Sequence, residues 1–187
     1  SSRSPPWSAR ALPAEARAAV PNKTADLYET HFAELMTLAG REAGKTLLDG
    51  VAEIREAVDF LRYYASQARA LPAESTPRGV FACVSPWNFP LAIFTGQISA
   101  ALAAGNCVIA KPAEQTPLIA FEAVKLLHEA GAPKAALHYL PGDGPSVGGP
   151  LTAHPDIKGV VFTGSTEVAQ IIKKSLVAAG KHDAALI

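Results

Sequence analysis

The sequence predicts an α/β fold: a parallel sheet covered by helices and preceded by a helical segment. Three observations lead there. Apolar residues between Pro13 and about Ala70 recur at helical spacing. After Arg78 the pattern switches to short apolar, β-branched runs that alternate with helical stretches. Each run ends in a polar or glycine-rich segment where continuing core would be apolar. Strand and helix in alternation imply parallel strands with helices on both faces.

In the first half, Leu27, Phe32, Leu35, Met36 and Leu38, then Val51, Ile54, Val58, Leu61 and Tyr64, set the helical stripes. Pro21, Gly40, Gly44 and Gly50 are expected to divide this half into two or three helices, and the stretch from Leu71 to Pro77 reads as a linker. The expected strands are residues 80–84, 107–110, 137–140 and 160–163, and the helical spacings cover 93–104, 117–130 and 167–179. Thr116 before Pro117 offers a side-chain cap followed by proline at the first helical position. Leu186 and Ile187 read as the start of a further strand. The division is therefore residues 1–78, helical segment and linker, and 79–187, an α/β domain.

With 187 residues, 49% of them hydrophobic and 18% charged, the chain can bury a sizeable core. Seventeen basic and 17 acidic residues leave no net field, which argues against nucleic acid and anionic membranes as partners. Cys83 and Cys107 both lie in apolar runs, too few for a disulfide framework and poorly set for a metal, so no metal is expected. The N-terminal SSRSPPWSAR lacks the apolar segment of a signal peptide, and no stretch reaches the roughly 20 apolar residues of a membrane span. A cytoplasmic protein is expected.

Ligands of such sheets bind beyond the carboxyl ends of the strands, so the segments SPWNFP, KPAEQTP, PGDGPS and GSTE are the candidates. Each has two readings. Gly142-Asp143-Gly144 lacks the third glycine of the usual dinucleotide fingerprint and could be a simple turn. Gly164 and Ser165 open a helix, either as a cap or as a phosphate site built from free amides and the Ser165 hydroxyl. Lys111 and Glu114 are either a solvated pair or a clamp on a ribose, where the carboxylate would favour NAD over a 2′-phosphorylated cofactor. Asn88, held between Pro86 and Pro90, is either a turn residue or an oxyanion donor, a role whose loss typically costs about 2.7 to 4 kcal/mol.

The segments SPWNFPLAIFTGQ, AGNCVIAKPAEQTP, LPGDG and VVFTGSTEVAQ, in that order, resemble the aldehyde dehydrogenase superfamily. REAGKTLLDGVAEIREAVDFLRYYASQA, at 41–68, is also similar to it, so the resemblance covers nearly the whole chain. Within the superfamily, FTGQISAALAAGNCVIAKPAEQTPLIA most resembles the L-glutamate γ-semialdehyde (pyrroline-5-carboxylate) dehydrogenase module of PutA-type bifunctional proline-utilisation proteins.

The resemblance implies a Rossmann-like sheet, NAD as cofactor and a small aldehyde as substrate. It implies that Asn88 holds the oxyanion of a cysteine thiohemiacetal, that Trp87 lines the pyrophosphate channel and that the backbone at Val84 and Ser85 meets the nicotinamide half. Lys111 and Glu114 would take the adenine ribose. Gly142 and Gly144 would let the adenine approach the backbone, and Gly164 with Ser165 would bind the pyrophosphate. Glu56 would bind the amino group of the semialdehyde, and Phe89 would line the substrate side.

The family's chemistry also needs a nucleophilic cysteine and a base glutamate, both expected beyond Ile187. Cys83 and Cys107 are expected to be buried and inert. The resemblance therefore implies a truncated fold, the NAD-binding part of a larger, homo-oligomeric enzyme, inactive alone. The alternative is a non-catalytic nucleotide-binding or oligomerisation module.

Overall fold

The structure, a computed structural model, describes residues 13–72 and 74–187, so SSRSPPWSAR lies outside the described residues. Among the described residues three helices come first: α1 (Ala14–Thr30), α2 (Phe32–Ala43) and α3 (Leu47–Ala70). Gly44 ends α2 in the left-handed conformation at φ 65°, as a helix-terminating glycine does, and Thr46 caps α3 by accepting from the Asp49 amide.

Three expected breaks are not breaks. Pro21 lies inside α1, buried on the same face as Ala18, Ala25 and Tyr28, so packing outweighs a propensity cost of about 3 kcal/mol. Gly50 lies inside α3, where an added Cβ would stand 2.9 Å from Met36 Cγ; it is there for close approach of α2. Gly40 likewise stays within α2.

The second half runs β1 (Val80–Val84), α4 (Ala92–Ala103), β2 (Cys107–Lys111), α5 (Pro117–Glu129) and β3 (Leu137–Tyr139). A π-helical turn (Gly144–Gly148), α6 (Gly149–Ala153), β4 (Ile157–Phe162), α7 (Thr166–Ala178) and β5 (Ala185–Leu186) follow. The sheet has five strands in the order β3-β2-β1-β4-β5, every pairing parallel. Alternate residues of β1 face opposite layers: Phe81 and Cys83 join the large core with α1 to α5, whereas Ala82 joins Leu151, Val160 and Ile172 on the α6–α7 side. The large core runs without interruption from the three leading helices into the sheet.

Three further differences from expectation each have a specific cause. β4 begins at Ile157, not Val160, because Gly159 gives way to the Phe81 ring: a Cβ there would lie 2.2 Å from it. The glycine- and proline-rich stretch after β3 contains helical turns, with Asp143 capping the π turn by accepting from Ser146 N and Oγ at 2.7 Å each. Thr116 precedes α5 but does not cap it; Thr116 Oγ1 is buried without a partner. The Glu42 carboxylate, from α2, accepts from the Leu118 and Ile119 amides at 2.9 and 2.8 Å instead.

Candidate functional site

Successive connections β1 to β2 to β3 step one way along the sheet, and the next returns past both to place β4 on the other side of β1. Outside the carboxyl ends of β1 and β4 this reversal opens a crevice, the place where open parallel sheets take ligands. A cleft of about 840 Å³ lies there. All four polar segments that follow the first four strands reach it.

From β1 it receives Val84, Ser85, Trp87, Asn88 and Phe89; from β2, Lys111 and Glu114; from the π turn, Gly144; from β4, Gly164 and Ser165. Ten of the sequence-derived residues thus share one cleft. Two do not line it. Glu56 stands exposed on α3, and Gly142 lies in the turn after β3 at φ 148°, where an added Cβ would meet Val147 Cγ2 at 2.4 Å.

The polar groups in the cleft are unusually available. Ser85 is 5% exposed and its Oγ has no hydrogen-bond partner. Lys111 is buried at the end of β2, its Nζ donating to Pro112 O at 3.1 Å. Burial pushes the Lys111 ammonium below its ordinary pKa, while the nearby Glu114 and Asp143 carboxylates pull it back up. Ser165 caps α7, its Oγ accepting from Val168 N at 3.2 Å, which leaves the hydroxyl proton free to donate. Gly164 brings the chain against the Phe162 ring, 2.5 Å from where a Cβ would sit.

Most of the remaining lining is apolar, with Gln115, Thr152 and Thr163 among it. Trp87 is 53% exposed, and Val168, Ile171 and Ile172 of α7 add apolar lining to the same cleft as the π turn. Sequence reasoning singled out none of these α7 residues, although their helical spacing was visible. It also assigned no role to Gln97, whose Nε2 bridges Val84 O and Thr163 Oγ1 at 3.2 Å each, tying β1 to β4 where the cleft begins.

Both thiols are outside the cleft. Burial pushes Cys83 up to about 12 and Cys107 up to about 11, so neither is a thiolate near neutral pH. His31, Glu34 and Glu122 converge elsewhere with ligand atoms within 4.8 Å, but Lys125 Nζ already occupies the Glu122 carboxylate at 2.8 and 3.1 Å. Among the described residues no helix is long and apolar enough to cross a membrane.

The aldehyde dehydrogenase family model matches residues 2–185. A bifunctional protein PutA of Rhizobium meliloti is 58% identical over 160 residues, covering 86% of this chain and 13% of that protein. A 1-pyrroline-5-carboxylate dehydrogenase of Anoxybacillus flavithermus is 40% identical over 176 residues, covering 87% of this chain and 34% of that protein. Among solved structures, a bifunctional proline utilization A protein superposes with a TM-score of 0.90 at 54% identity, over 97% of this chain and 20% of that one. A Thermus 1-pyrroline-5-carboxylate dehydrogenase with bound NAD gives 0.88 at 35% identity, over 96% of this chain and 39% of that one. The chain thus spans well under half the length of each of these relatives. With the family model matched almost end to end and the crevice at the sheet's reversal built from its strand-end segments, the chain belongs to the aldehyde dehydrogenase family.

Proposed function

We propose that this chain is the cofactor-binding part of an NAD-dependent aldehyde dehydrogenase that oxidises glutamate γ-semialdehyde, with Asn88 as its oxyanion donor. The observation that supports the reading best is the convergence of Asn88, the Lys111–Glu114 pair and the amino end of α7 on one cleft. NAD, when bound, supplies the hydride acceptor. The residues present fit it: the orphaned Ser85 hydroxyl, the open space beside Gly144, where a Cβ would meet nothing within 4 Å, and the apolar α7 side chains that line the cleft.

In this reading the first amides of α7, with Gly164 and Ser165, take the pyrophosphate, because they carry unsatisfied N–H groups and the positive end of the helix dipole. Lys111 donates to the ribose hydroxyls and Glu114 accepts from the 2′-hydroxyl, which disfavours a 2′-phosphate. The Val84–Ser85 backbone meets the nicotinamide half, Trp87 walls the pyrophosphate channel, and Asn88 donates its amide N–H to the oxyanion. Phe89 and Glu56 are assigned to the aldehyde side. Cys83 and Cys107 stay protonated, so the nucleophile is neither of them, and the 187 residues are expected to bind NAD without turnover. A cytoplasmic, homo-oligomeric enzyme is the setting this reading expects.

Titration calorimetry of the chain with NAD and with NADP tests the cofactor half. NAD should bind the more tightly, and Glu114→Gln should narrow the difference; absence of heat with NAD would remove the reading. For the substrate, the chain is grafted in place of the matching segment of the Rhizobium meliloti relative and assayed for NADH formation. A graft that binds NAD and oxidises another aldehyde but not pyrroline-5-carboxylate overturns the substrate assignment.

A further inference from the structure

Between Pro86 and Pro90 the cleft loop has little to hold it. Trp87 and Asn88 are exposed, and among the described residues neither takes part in a hydrogen bond. The Ser85 amide, donating to Lys111 O at 3.2 Å, anchors the loop on its amino side, and an ion pair from the helical segment anchors it on the carboxyl side. Glu53 of α3 is 1% exposed, and its Oε1 accepts from the Leu91 and Ala92 amides, both at 2.9 Å. Its Oε2 lies 3.1 Å from Lys45 Nζ, which in turn stands 4.2 Å from the centre of the Phe89 ring. Leu91, at the cap position of α4, has no side chain able to cap, so Glu53 satisfies those amides from another helix.

We propose that Lys45 and Glu53 are positioning residues that hold the Trp87-Asn88-Phe89 loop in its cleft-facing form. Glu53 fixes the backbone where the loop enters α4, and Lys45, neutralised by Glu53, fixes the loop through the Phe89 ring. Neither residue lines the cleft, and the pair acts on the loop through Phe89 and the α4 amides, so its loss should disturb the loop more than the fold.

Three variants separate positioning from stability: Lys45→Met, Glu53→Gln and the double. Lys45→Met alone strands a buried carboxylate, and Glu53→Gln alone strands an ammonium. The double keeps an Oε1 acceptor for both amides, buries no charge and removes the cation from Phe89. Each is made with Trp7→Phe, so that Trp87 is the remaining tryptophan of the two. The double should melt close to the unmutated chain, yet acrylamide quenching of Trp87 should rise about twofold as the loop loosens.

The second readout rests on the NAD reading: affinity in the double should fall about tenfold. Unchanged Trp87 quenching overturns the proposal, and so does quenching that only follows melting temperature across the variants. If the unmutated chain fails to bind NAD, the cofactor reading falls while quenching still decides this one.

Discussion

Gly142→Ala is the substitution whose consequence is most closely dictated by geometry. Gly142 closes the turn after β3 at φ 148°, and a Cβ there would lie 2.4 Å from Val147 Cγ2 and 3.1 Å from Val147 Cβ. Two costs add. A non-glycine residue in that backbone region costs about 1 to 3 kcal/mol. Val147 cannot easily step aside, because its turn is tied by the Asp143 side chain to Ser146 N at 2.7 Å and by Gly148 N to Asp143 O at 3.1 Å. Displacing it costs about 1 to 3 kcal/mol, as overpacking does. The sum, about 2 to 6 kcal/mol, lowers the melting temperature by roughly 4 to 24 °C at about 2 to 4 °C per kcal/mol.

Val147→Ala removes the obstructing methyl but leaves the backbone conformation, so thermal unfolding of both singles and the double resolves the two costs. The double should be less destabilised than the singles predict, with a coupling of about 1 to 3 kcal/mol. Gly144→Ala is the control, since an added Cβ there meets nothing within 4 Å. A Gly142→Ala protein within about 0.5 kcal/mol of the parent, or strict additivity in the cycle, would refute the argument.

Two other outcomes follow from the polar contacts. Glu42→Ala strips α5 of both amide acceptors and should cost about 0.5 to 2 kcal/mol in chemical unfolding, with Glu42→Gln recovering at most half, because its single carbonyl oxygen can accept from only one of the two amides. Burial raises the Cys83 pKa above its unfolded value, so its contribution to stability is whole below pH 9.0 and is lost as pH rises toward about 12. The stability difference between the parent and Cys83→Ala, followed by urea unfolding across that range, should shift against the parent as pH rises; a flat difference would contradict it.

The sheet was legible because its cause is local. Val80 to Val84 and residues 107–110 are apolar runs bounded by turn residues, and the strand ends carry polar segments because a cleft, not a core, lies beyond them. Punctuation was less reliable: Gly44 ends a helix as glycine can, whereas Pro21 and Gly50 sit inside helices for packing reasons held on other elements. Caps were least legible. Thr116 has the right residue type in the right place, yet Glu42, 76 residues before Leu118 in the chain, does the work, and spacing along the sequence carries no trace of such a pairing. The same holds for Glu53, which reads as one more acid on an amphipathic helix until its amide partners, 38 and 39 residues on, are in view. Within the site, the strand-end residues could be collected from sequence, but the bridging role of Gln97 needs β1 and β4 side by side.

Glu42 and Glu53 lie upstream of the strand-and-helix half, yet the carboxylates of both terminate on amides within it. That makes the junction near residue 78 a poor place for recombination between relatives, however natural it looks along the chain. A chimera drawing its helices from one parent and its sheet from another keeps α4 and α5 covered only if the incoming helices carry acids at the same two places. Across such hybrids, survival should therefore follow the match at 42 and 53 more closely than overall identity. The two halves are, in effect, one structural unit.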